Sequence, residues 1–181
     1  MVRSASNGGA ELTMPGERDL RIAVLGDAAV WLGDDRLAFP THRAELAMFA
    51  LALAGPAGLH QEVLLERLWP EAPADRGLAR LRTLLWQVRR ALGPEAWRVQ
   101  RRGRQLLLVL DGARVDLAEA RDAAERLLGT ELIDLPAART VLTALIQPLL
   151  AAWPFEPWVD AERERNAELV VALQQQVARE H

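Results

Sequence analysis

The sequence predicts an α+β domain followed by an all-helical segment. Three observations carry this. Apolar residues alternate with period two over residues 20–40. Three helical patterns, each ended by glycine or proline, fill residues 41–94. Two β-like runs flank a basic turn at residues 97–110, and after Asp111-Gly112 only helical patterns follow.

Leu20, Ile22, Val24, Val30 and Leu32 alternate with small or polar residues. Gly26-Asp27 is a turn or bulge candidate, and Gly33-Asp34-Asp35-Arg36 is a turn before Leu37-Ala38-Phe39. A small antiparallel sheet is expected here. Thr41 is the expected N-cap of a first helix carrying Leu46, Phe49, Ala50 and Leu53 on one face, ended by Gly55-Pro56. A shorter helix is expected from Gln61 to Trp69, with Val63 or Leu64, Leu65 and Leu68 buried and Pro70 and Pro73 as stops. Asp75 is the expected N-cap of a third helix running to Leu92, closed by Gly93-Pro94. Trp97–Gln100 and Gln105–Leu110 form a hairpin around Arg101-Arg102-Gly103-Arg104.

Beyond it, Asp116–Leu128 reads as one amphipathic helix and Leu135–Trp153 as another, kinked at Pro148. Trp153-Pro154-Phe155-Glu156-Pro157-Trp158 is a rigid aromatic link, and a last helix runs from Val159 to Arg179. Three regions are expected: a disordered leader over 1–17, a mixed domain over 18–112 and a helical domain over 113–181.

Composition excludes several chemistries. There is no cysteine, so disulfides, thiol nucleophiles and cysteine-held metals are out. Three dispersed histidines (His42, His60, His181) form no cluster. The only serines, Ser4 and Ser6, lie in the leader, so a serine triad is implausible. No glycine-rich strand-to-helix turn with a lysine is present to hold phosphate. Asp34-Asp35 and Glu162 with Glu164 fall in a turn and on a solvated helix. No enzyme, metal or cofactor is expected. No apolar run approaches the ~18 residues of a membrane span, and the leader lacks the apolar core of a signal peptide. A soluble, cytoplasmic protein is expected.

Charge is the informative signal. All 22 basic residues are arginine, and the chain carries a net charge of -3. The window Arg76–Arg104 holds nine arginines and one acid, Glu95, a net +8; the remainder holds 13 basic and 24 acidic residues, a net -11. A basic helix followed by a basic hairpin is the footprint expected for phosphate contact. On a helical wheel, Leu81, Leu85, Val88 and Leu92 share one side of the third helix. The other side presents Arg76, Ala79, Arg80, Thr83, Trp86, Gln87 and Arg90, with Arg82 and Arg89 at its edges. Arginine, glutamine and threonine can hold phosphates or read base edges; a solvated arginine face is the bland alternative. Trp86 covers deoxyribose or a partner helix, or lies half-buried if the wheel is one position off.

Leu20-Arg21-Ile22, Val24-Leu25-Gly26 and Val30-Trp31, then Leu64-Leu65 and Leu68-Trp69-Pro70-Glu71, then Leu81-Arg82 and Val88-Arg89-Arg90-Ala91-Leu92-Gly93 resemble the OmpR-type winged helix-turn-helix of the Streptomyces antibiotic regulatory protein (SARP) family. Val115-Asp116-Leu117-Ala118, Leu149-Leu150-Ala151-Ala152-Trp153 and Trp158–Arg165 resemble the start of that family's bacterial transcriptional activator domain (BTAD), a tetratricopeptide-like module. The order and spacing of these segments over residues 20–179 carry the resemblance. It implies an N-terminal antiparallel sheet, a C-terminal hairpin wing and a truncated BTAD. It implies a bacterial activator that binds double-stranded DNA, the third helix in the major groove and the wing in the neighbouring minor groove, and that contacts the sigma factor of RNA polymerase. The DNA-binding positions it implies are Arg76, Arg80, Arg82, Thr83, Gln87, Arg90, Arg101, Arg102 and Arg104. Because the helical repeat is incomplete, residues 113–181 are expected to pair with a second copy or another protein. An adaptor whose two halves make only protein contacts is the alternative.

Overall fold

A computed structural model of the chain describes residues 19–71 and 74–179; at 74–76 it describes the backbone alone. The leader expected over 1–17 lies outside the described residues. Strands β1 (Leu20–Ala23) and β2 (Ala29–Leu32) pair antiparallel, as the period-two pattern requires. The third strand is corrected: the turn closes over Gly33-Asp34 alone, with Gly33 at φ 62, so β3 is Asp35–Arg36, antiparallel to β2, and Leu37–Phe39 is not a strand. Leu20, Ile22, Val30 and Leu32 point into the core. On the other face Trp31 lies under the guanidiniums of Arg21 and Arg36. A fourth strand, β7 (Arg114–Val115), joins this sheet parallel to β1, giving the order β3-β2-β1-β7. Two residues were too few for periodicity to show it.

Helix α1 (His42–Leu53) is capped by Thr41, whose hydroxyl accepts from the Ala44 amide. Its middle is buried on nearly all sides, from Leu46 to Ala52, making it the central rod of the core. Gly55–Ala57 forms the 3-10 turn that ends it. At Gly58 the backbone has φ +67, and a Cβ would meet the Leu106 carbonyl oxygen at 2.2 Å. Only glycine fits where these two chains cross. Strand β4 (Leu59–His60) then pairs with the later hairpin. Helix α2 (Gln61–Leu68) buries Leu64 and Leu68, while Val63 is exposed. Helix α3 (Ala74–Leu92) buries Leu81, Leu84, Leu85, Val88 and Leu92 against α1. It begins one residue before Asp75, so Asp75 lies in its first turn and not at its cap.

The expected strand Trp97–Gln100 is corrected by the structure. Gly93–Arg98 is a run of 3-10 helix, and strand β5 is Val99–Arg102, paired antiparallel with β6 (Gln105–Leu108). The cause is Arg98. Its side chain is fully buried, and its Nε donates to the Glu95 carboxylate at 2.7 Å. Its Nη1 donates to the carbonyls of Val109 and Asp111. Closing the Glu95–Arg98 pair across three residues needs a tight helical turn, not an extended one.

Helix α4 (Asp116–Leu128) has its expected bounds. The expected helix Leu135–Trp153 does not run through. Helix α5 (Leu135–Leu145) stops before Pro148, and Leu150 takes φ 48. The freed backbone is used elsewhere: the Gly26 amide donates to the Pro148 carbonyl, and the Leu150 amide to that of Val24. Leu25 and Leu149 form an isolated antiparallel bridge. The segment that leaves β1 thus takes up chain that helix geometry could not satisfy at a proline. Helix α6 (Asp160–Arg179) follows a 3-10 turn at Pro157–Val159.

One hydrophobic cluster spans the expected boundary at residue 112, running from Leu20 and Phe49 to Leu145, Trp153 and Leu173. Trp153 packs edge-on against Phe49 and tilted against His42. Asp116 ties the helices to the sheet, accepting from the amides of Val24, Leu25 and Leu117 at 2.9, 3.1 and 2.7 Å. Burial raises its carboxyl above the ordinary value, while these three amides pull the other way. Replacing Asp116 with alanine strands two sheet amides and is expected to cost about 2–3 kcal/mol. Urea unfolding measures the loss.

Candidate nucleic-acid interface

The outward face of helix α3 is rotated from the one the wheel places: Arg82, expected at an edge, stands on it, while Arg80 and Gln87, expected on it, lie at an edge. Ala79, Arg82, Thr83, Trp86 and Arg90 are exposed; Arg80 and Gln87 are half-buried along the edge facing α1. Trp86 is 55% exposed, which decides for the outward reading of the indole. Its ring lies 5.2 Å from the Arg90 guanidinium. The Thr83 hydroxyl donates back to the Ala79 carbonyl, and Gln87 Oε1 accepts from the Thr41 hydroxyl at 2.9 Å. Arg82 projects from the same face. The backbone of Arg76 is in the first turn of α3; its side chain lies outside the described residues.

The hairpin supplies the second element. Gly103, at φ 61, makes the tight turn between β5 and β6. Arg101 is exposed but braced, donating to the Gly103 carbonyl and to Gln61 Oε1, each at 2.9 Å. Arg102 donates to Gln100 Oε1 at 3.2 Å. Arg104 pairs with Glu62 at 3.1 Å across exposed surface. An exposed pair of this kind is worth ~0–1 kcal/mol, so an incoming phosphate can replace the carboxylate.

Two grooves meet at Arg80. The first, of about 510 Å³, runs between α1 and α3 and is lined by Thr41, His42, Arg43, Trp69, Arg80 and Gln87 among others. The second, of about 500 Å³, runs between α2, α3 and the hairpin, with Gln61, Glu62, Glu66, Arg80 and Arg104 among its walls. Arg80 of the helix and Arg104 of the hairpin therefore face the same space. Arg82, Arg90, Arg101 and Arg102 line neither groove and stand on exposed surface of these same two elements.

Among the described side chains, two arginines of the basic window serve the fold instead. Arg98 is buried on Glu95, and Arg89 is half-buried, donating twice to the Val99 carbonyl at 3.2 and 2.9 Å. Counting charge overstated the outward set. It also missed Arg43, which sits 5.4 Å from the Trp69 ring while Arg80 sits 5.9 Å from it. One indole at the end of α2 thus gathers guanidiniums from α1 and α3 onto the wall of one groove. The Arg43 Nε also donates to the Leu68 carbonyl, fixing it there. The local signal for this was only Arg43 in the first turn of a helix. Among the described residues no cluster of His, Cys, Asp or Glu could hold a metal ion, and no helix is long and apolar enough to cross a membrane.

No protein-family model matches the chain, and no curated protein matches it. Among solved structures it is similar to Mycobacterium tuberculosis EmbR, determined in complex with a low-affinity phosphopeptide, with TM-score 0.65 and 18% sequence identity. The match covers 87% of this chain and 44% of that one, so the chain spans less than half of EmbR. At this identity what is shared is the fold: an N-terminal sheet, mixed α/β elements and C-terminal helices.

Proposed function

We propose that the chain is a non-enzymatic, SARP-type transcription regulator, probing duplex DNA with α3 in the major groove and the β5–β6 hairpin as a wing at the neighbouring minor groove. The observation that carries this is the meeting of Arg80 and Arg104 on one groove, with Arg82, Arg90, Arg101 and Arg102 exposed on the same two elements. Guanidiniums from two successive elements can then neutralise phosphates on either side of a groove. The EmbR-like fold supports a regulator of this class. In this reading residues 18–112 form the winged helix. Helices α4–α6 form a partial BTAD that contacts RNA polymerase or pairs with a second copy, in the cytoplasm and without a cofactor.

One observation favours a protein-binding adaptor as the second reading: Leu78 and Trp86, both more than half exposed, interrupt the cationic face. A salt series separates the two. The regulator binds random duplex DNA at low salt and loses affinity steeply as salt rises, the log–log slope falling by about 0.9 for each phosphate engaged. Absence of binding to any duplex at low salt establishes the adaptor.

A further inference from the structure

We propose that Trp86 reads sequence: its indole covers thymine methyl groups at the major-groove edge of the bound duplex. The inference rests on the reading of α3 as the groove-entering element and adds a specificity determinant to it. Leu78, Arg82, Trp86 and Arg90 follow one another at four-residue spacing, so they form a single ridge with side chains about 6 Å apart. Trp86 is at the centre of the exposed arc of α3, and Leu78 opens the ridge at 52% exposure.

The ridge thus alternates apolar and cationic groups. An apolar protein surface would have to desolvate Arg82 and Arg90 to reach the indole between them. Duplex DNA asks for the opposite: phosphates for the arginines and, among the groups on the major-groove edge, one that is apolar, the C5-methyl of thymine. The Arg90 guanidinium, 5.2 Å from the ring centroid, already holds the indole against it. Part of the rotamer entropy is therefore lost before binding, which favours a specific contact over a loose one.

The test uses the full chain. Wild type and W86A are each used to enrich duplexes from a randomised pool. The duplex that wild type selects is remade with deoxyuridine at each thymine, which removes the methyl groups and nothing else. Wild type should lose about fourfold in affinity for each methyl that the indole covers. W86A should bind the thymine and uracil forms alike while keeping the wild-type salt slope, and W86F should retain part of the discrimination. Equal wild-type affinity for the two forms overturns the proposal, as does a uracil penalty that persists in W86A. Enrichment without a uracil penalty sinks this inference alone; failure of wild type to enrich any duplex sinks the regulator reading with it.

Discussion

Replacing Arg80 and Arg90 together with alanine is expected to lower duplex DNA affinity roughly 100-fold near physiological salt and to shrink the salt slope by about 2. Arg80 sits where the two grooves meet, so its loss removes the cation that links the helix to the hairpin. Arg90 is exposed on the outward face, oriented by the Trp86 ring. Fluorescence anisotropy at several salt concentrations reads both quantities. A double variant that keeps its fold by circular dichroism but binds within a factor of two of wild type would remove α3 from the interface.

Replacing Arg98 with alanine is expected to destabilise the chain by about 3–5 kcal/mol, a large share of the stability of a domain this size. Glu95 is 2% exposed and its carboxylate would lose the guanidinium that pairs it. The carbonyls of Val109 and Asp111 would lose their Nη1 donor as well. The pair lies where α3 hands over to the hairpin, so DNA binding should fall with stability. Substituting both partners, E95L with R98M, should recover much of the loss, because the charge left unpaired accounts for most of it. Urea denaturation of both variants tests this; equal destabilisation by the single and double changes would contradict it.

The two predictions mark where sequence reading succeeds and where it stops. Regular patterns were legible: the Thr41 cap, the α4 bounds and the buried stripe of α3 follow from periodicity and capping chemistry that act within a few residues. Pro148 was legible as a disturbance but not as an end. Whether a proline kinks or stops a helix depends on who takes the freed backbone groups, and here Val24 and Gly26 take them from more than 100 residues away in the chain. Arg98 was miscounted as surface charge because nothing local distinguishes a buried, paired arginine from a solvated one. Its partners at 109 and 111 become neighbours only once the hairpin closes. Arg43 escaped for the same reason: Trp69 brings it beside Arg80 only in the folded chain.

The chain contains no cysteine, so single cysteines introduced as Thr83→Cys and Arg102→Cys can each carry an iron chelate that cleaves nearby deoxyribose. On one bound duplex, the account predicts two cleavage zones in adjacent grooves, separated by about half of the ~10-base-pair helical turn. Cleavage from one position alone, or zones more than a full turn apart, would show that α3 and the hairpin do not share a duplex, and would contradict it.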